Sequence, residues 1–115
     1  MTQYAKGYAF EQKVAGHLAQ EGYFVIRAGG SHGVADLVAL KWGETLLVQC
    51  KTNGVISIGD WNALYGVAQR VGAVALVAFR PSRGLIAYRQ LGARRVARQA
   101  AEYTVWTADE VVADA

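Results

Sequence analysis

The chain has a single cysteine, Cys50, so no internal disulfide can form. Its place within an apolar run marks it as a small buried hydrophobe, a usage typical of reducing compartments. Only two histidines are present, with no Cys/His spacing of the zinc type, which argues against a zinc centre. No segment approaches the roughly 18 unbroken apolar residues of a membrane span. The opening MTQYAKGYAFEQK lacks the apolar run of a secretory leader. The expectation is a cytoplasmic protein with no membrane partner. Repeats, low-complexity tracts and linkers are also missing, so the 115 residues are expected to form one domain, 1–115.

Acidic residues are absent between Trp61 and Arg98, where Arg70, Arg80, Arg83, Arg89, Arg94, Arg95 and Arg98 all fall. Four of the nine acids crowd into the last fourteen residues. The net charge is only +3, yet a mixed solvated surface would seldom give so one-signed a block. Guanidinium groups suit bidentate capture of phosphate oxygens, so the block points to a polyanion. Arg80, Arg83, Arg94 and Arg95 are the candidates from it for contact with a nucleic-acid backbone.

What is present reads as a sequence of short elements. Residues 3–21 carry a helix pattern ended by Gly22, and YFVIRA (23–28) is a strand followed by the loop GGSHG. Two strands, 34–41 and 44–52, flank Trp42-Gly43 as an antiparallel hairpin. Asp60 is the expected N-cap of a helix running to Val71 and stopped by Gly72. AVALVAF (73–79) is apolar throughout, as in a central strand covered on both faces. A turn at 81–84, a strand at 85–91 and two short helices, 93–102 and 107–114, complete the expected order. The fold class is α/β: a mixed central sheet flanked by helices on both faces.

The hairpin holds polar groups where a buried strand should have none: Asp36 in the first strand, Gln49 and Lys51 in the second. On a wheel of about 100° per residue, Glu11 falls inside the apolar arc of the first helix and points at the sheet. A residue near 36 pairs with one near 50 across the turn. Glu11, Asp36, Gln49 and Lys51 are therefore expected to converge on one pocket where the helix meets the sheet. Two ionised carboxylates there cost several kcal/mol unless compensated. Lys51 can offset one. The remainder suits a hard divalent cation, which takes oxygen ligands: Glu11, Asp36, the amide oxygen of Gln49 and the backbone carbonyl of Cys50. A buried Asp–Lys ion pair with a snorkelling Glu11 is the structural alternative.

An acid on the first helix followed by D-x12-Q-x-K across a hairpin resembles the PD-(D/E)xK nuclease superfamily, whose core is the restriction-endonuclease-like αβββαβ arrangement. Within it, residues 6–52 look like the archaeal-type Holliday junction resolvases. Their Lys-Gly-x-x-x-Glu opening is matched by Lys6, Gly7 and Glu11, and their Arg and loop Ser by Arg27 and Ser31. Asp36 matches the metal-binding Asp, and Gln49-Cys50-Lys51 the catalytic E-x-K. Two departures stand out: Gln49 replaces an acid, and Gln12 stands where the family tends to have Arg after the helix Glu. Glu44 is no substitute, lying five residues before Gln49, about 17 Å along a strand.

The resemblance implies Mg²⁺-dependent hydrolysis of DNA phosphodiesters in a four-way (Holliday) junction by paired symmetric nicks, with Mn²⁺ as a substitute metal. Glu11, Ser31, Asp36, Gln49 and Lys51 are the expected catalytic set. Lys6, Arg27, Ser31 and His32 join the four arginines as expected DNA contacts. A two-fold junction implies a homodimer, for which Trp61 and Tyr65 on the second helix are the interface candidates. Two alternatives stay open: a nuclease acting on other DNA structures, and a DNA-binding relative that has lost catalysis at Gln49.

Overall fold

The computed structural model describes residues 3–28 and 33–108, with side chains from residue 7 onward. The elements are α1 (Gln3–Gln20), β1 (Phe24–Arg27), β2 (Leu37–Lys41), β3 (Glu44–Cys50), α2 (Ile58–Val71), β4 (Val74–Phe79), β5 (Ala87–Leu91) and β6 (Tyr103–Trp106). The six strands form one sheet in chain order. Every neighbouring pair is antiparallel except β3 and β4, which run parallel because α2 carries the chain back between them. The mixed sheet with helices on both faces is thus the architecture expected.

Alternation along the strands splits the core into two layers. Phe10, Val14 and Leu18 of α1 pack on Leu37, Ala39, Leu46, Val48, Leu76 and Ala78. Trp61, Leu64 and Ala68 of α2 pack on Leu47, Ala75 and Val77 from the opposite side. β4 contributes to both layers, which accounts for its unbroken apolar run. Each fully buried leucine adds about 1.5–3 kcal/mol relative to exposure.

Local chemistry sets the element ends. The β2–β3 hairpin turns on Trp42-Gly43, with Gly43 at φ 76. Its base is braced by Tyr23, whose hydroxyl donates to Glu44 and whose ring lies 4.5 Å from the Lys41 ammonium. Trp42 itself is 99% exposed. α2 begins at Ser57, not Asp60: the Ser57 hydroxyl accepts from the Asp60 N–H at 3.0 Å. Gly72 closes the helix at φ 71.

The helix expected over 93–102 is absent. That segment is an irregular connector with Arg98 at φ 68. Its backbone groups are claimed from outside: Asn62 bonds both the N–H and the C=O of Arg95, at 2.7 and 3.1 Å, and Trp61 Nε1–H donates to the Ala93 carbonyl at 2.8 Å. The segment has helix-forming residues but no apolar stripe to bury, so tertiary contacts override propensity. It leads into β6, a strand unforeseen in the sequence although Tyr-Thr-Val-Trp is rich in strand-forming types. Residues 109–114 of the second expected helix lie outside the described residues.

Candidate active site

The end of the β2–β3 hairpin away from its turn is where the strands separate. Pairing runs from Lys41↔Glu44 to Leu37↔Val48, and Asp36 sits on a bend just before β2. Its N–H donates to the Val48 carbonyl at 2.8 Å and its carbonyl accepts from Ala28 at 2.9 Å, so its backbone is pinned from both sides. Its side-chain Oδ2 accepts from the Cys50 N–H at 2.8 Å. Lys51 N–H donates to the Ala78 carbonyl on β4. Backbone direction alternates along a strand, so the Cys50 carbonyl faces the β2 side, into the gap where the Asp36 carboxylate lies.

Glu11 reaches this region from α1. It is next to buried Phe10 on the helix arc, and its carboxylate pairs with Arg27 at 3.0 Å. The Arg27 guanidinium lies 4.3 Å from the centroid of the Tyr8 ring. Burial raises the Glu11 carboxyl above its usual range, and the charge of Asp36 raises it further, against an opposing pull from Arg27. Burial, then Asp36, then Glu11 push the Cys50 thiol up, so it stays protonated and is no nucleophile. Glu11, Asp36 and Cys50 therefore sense one another electrostatically. Lys51 was the cation expected to offset a carboxylate. Among the described residues that partner is Arg27.

Gln49 and Lys51 come from the other side. Leu46 and Val48 lie in the α1 layer and Leu47 in the α2 layer, so alternation sends Gln49 and Lys51 toward α2. Gln49 is the one buried polar residue among those described, 8% exposed. The arrangement differs from a single pocket where helix meets sheet. It is a seam at the open end of the hairpin, approached by Glu11 from one face and by Gln49 and Lys51 from the other. The difference arises on β3 itself: Leu46 and Val48 turn toward α1, so the alternate set that includes Gln49 and Lys51 turns away from it.

The remaining candidates divide. Arg80 and Arg83 are exposed, and Arg80 N–H donates to the Thr52 carbonyl at 3.0 Å, which puts Arg80 at the Lys51 end of the sheet. Arg94 is exposed over α2 near Gly66. Arg95 is folded inward: its guanidinium lies 5.4 Å from the Trp61 ring centroid and Nη1 donates to the Ile56 carbonyl at 3.4 Å. It fixes the connector to α2 and does not present itself to DNA. Trp61 is 3% exposed within its own chain's core, so it cannot serve a contact between copies. Tyr65 also packs on that core, half-buried, with its hydroxyl toward the Gly92 carbonyl. The Lys6 side chain, Ser31 and His32 lie outside the described residues. Arg89, named in the acid-free block but not among the DNA candidates drawn from it, donates from Nη1 to the Gly54 carbonyl at 3.2 Å.

The donors at the seam are hard: two carboxylates, an amide oxygen and a backbone carbonyl. Among the described residues no group of three or more His, Cys, Asp or Glu side chains gathers, so a cation here needs Gln49 or the Cys50 carbonyl besides the two acids. The mutual repulsion that helps raise Glu11 is the condition a bound cation would relieve. The set fits an oxygen-preferring divalent ion.

The chain is similar to known proteins. A family model described as archaeal Holliday junction resolvase (Hjc) matches residues 2–113. The chain is 48% identical over 50 residues to the crossover junction endodeoxyribonuclease Hjc of Methanocaldococcus jannaschii, a match spanning 44% of this chain and 37% of that protein. The solved structure of Hjc from Archaeoglobus fulgidus, titled a Holliday junction resolvase from an archaeal hyperthermophile, superposes with a TM-score of 0.63 at 26% identity. That match covers 72% of this chain and 70% of the other.

Proposed function

The chain belongs to the archaeal Holliday junction resolvase family, and on that premise we propose that it is a Mg²⁺-dependent endodeoxyribonuclease that resolves four-way DNA junctions by paired nicks. One observation carries the reading: the Asp36 carboxylate is bonded to the backbone of the residue preceding Lys51, with Glu11 held toward it in a partly desolvated setting. A chain with only folding to satisfy would have little reason to bring two acids together there.

Glu11, Asp36, the Gln49 amide oxygen and the Cys50 carbonyl would hold the metal, Mg²⁺ or Mn²⁺ in its place. When bound, it supplies polarisation of the scissile phosphate and a water of lowered pKa. Asp36 fixes the register of this set, because its hydrogen bond to Cys50 ties the carboxylate to the strand that carries Lys51. Lys51 stabilises charge growing on the phosphoryl oxygens or orients the attacking water. Arg27 is the group whose pairing changes most on substrate binding: its Glu11 contact competes with a phosphate for the same guanidinium. Arg80 and Arg83 grip backbone phosphates at the same sheet end. Lys6, Ser31 and His32 complete the DNA contacts in this reading. Two equivalent sites in a C2 homodimer match the two-fold symmetry of the junction.

Gln49 supports a second reading, a junction-binding relative without catalysis, since an amide lowers the charge offered to a metal. A labelled four-way junction and linear duplex, each incubated with Mg²⁺ or EDTA, decide between them. Symmetric nicks confined to the junction with Mg²⁺ are expected. Binding without nicking would establish the second reading, and cutting of linear duplex alone would reject junction selectivity. Lys51→Ala should lower cleavage by about a hundredfold or more while sparing binding.

A further inference from the structure

We infer that Arg89 is a positioning residue that sets the turn carrying Lys51, an inference that rests on the reading of Lys51 given above. Residues Lys51 to Gly54 form a tight turn closed by the Gly54 N–H to the Lys51 carbonyl at 2.7 Å. The start of the turn is tied to β4 through Lys51 N–H to the Ala78 carbonyl and Arg80 N–H to the Thr52 carbonyl. Its far end is closed locally by the Val55 N–H donating to Asn53 Oδ1 at 3.0 Å, and is tethered to the sheet by Arg89, whose Nη1–H donates to the Gly54 carbonyl at 3.2 Å. Gly54 has φ 75, and a Cβ there would lie 3.0 Å from Arg89 Nη1 and 3.4 Å from Phe79 Cγ. The turn is seated directly on the arginine.

The arginine is itself held in place. Its guanidinium lies 4.1 Å from the Phe79 ring centroid and 5.2 Å from that of Tyr103. A planar guanidinium can stack on rings and still donate within its plane. Arg89 pairs across the sheet with Val77 on one side and Val105 on the other, so packing alone would be met by another valine. Among the described residues it has no carboxylate partner. Among the described residues, the one hydrogen bond its guanidinium makes is to the Gly54 carbonyl. One step past the last β3–β4 pair, Cys50↔Ala78, Lys51 stands beside Phe79. Lys51 thus lies in line with Phe79 and Ala87, whereas Arg89 lies in line with Val77 and Gln49, two residues back along the strands; the Arg89 side chain reaches past Phe79 to the turn that begins at Lys51.

The experiment is Arg89→Gln, with three readouts: single-turnover cleavage of a four-way junction, junction affinity, and amide hydrogen exchange at Gly54 in protein free of metal and DNA. Expected are a cleavage rate lower by about tenfold to a hundredfold, affinity within about twofold, and faster exchange at Gly54 in a chain that still melts cooperatively. A rate loss matched by an equal loss of affinity and a shallower salt dependence would make Arg89 a direct phosphate contact and overturn the inference. Unchanged rate and exchange would overturn it too. Should Arg89→Gln fail to fold, Phe79→Leu removes the stacking platform with the arginine kept, and the same three readouts decide. If the wild type cuts no DNA, the nuclease reading falls, while the exchange at Gly54 still reports whether Arg89 holds the turn.

Discussion

Glu11 has a carboxyl raised by burial and by Asp36, so folding favours its protonated form. The stability this group contributes is complete below the ordinary value of 4.5 and is lost as pH rises through the raised folded value. Glu11→Gln is neutral at every pH. Its melting temperature relative to wild type should therefore rise between about pH 4 and about pH 8, as thermal melts across that range would register. Cleavage should fall in the same variant by about a hundredfold or more. A site that loses activity while gaining stability is one in which repulsion is kept for binding. Gln49 is the opposite case. Gln49→Glu buries a third acid, so it should lower the melting temperature in EDTA. It should also enlarge the Mg²⁺-induced rise in melting temperature, with affinity tighter by about tenfold in calorimetry.

At the scale of elements, α2 depends on its caps. Ser57→Ala removes the acceptor for the Asp60 N–H and should cost about 1 kcal/mol in denaturant unfolding. How far the elements were legible follows from the same local chemistry. The short Trp42-Gly43 turn fixes the hairpin register, so the approach of Asp36 to residues 49–51 could be read from the chain. The apolar arc of α1 likewise gave away the direction of Glu11. Alternation along β3 separates Gln49 and Lys51 from Leu46 and Val48 but does not say which set faces α1, and so the separation of Glu11 from Gln49 and Lys51 onto opposite faces was hidden. Which cation meets Glu11 was hidden too, since Arg27 and Lys51 both carry a positive charge and only the β1–β2 pairing brings Arg27 within reach. The connector at 93–102 looked helical because its composition is helical. What decides it is Asn62 and Trp61, which are over thirty residues away.

Across the whole molecule, the acid-free stretch does not become one basic surface. Arg80 and Arg83 stand exposed at the Lys51 end of the sheet, whereas Arg89 and Arg95 are turned inward to hold loops. A block of like charge in sequence thus separates into structural and solvent-facing members. Junction affinity should fall steeply with salt, and Arg80→Ala and Arg83→Ala should each reduce the slope of log affinity against log salt by about 1. Arg94→Ala, over α2 and apart from the seam, should change that slope less. Fluorescence anisotropy titrations at several salt concentrations measure all three.

Trp42 crowns the hairpin at the opposite end of β2 from Asp36, about 20 Å away, while Trp61 is enclosed and Trp106 half-covered. The protein therefore carries its own optical label on the side remote from chemistry. Red-edge emission from that indole should stay open to acrylamide quenching with DNA seated at the seam, and become shielded when another macromolecule covers the hairpin tip.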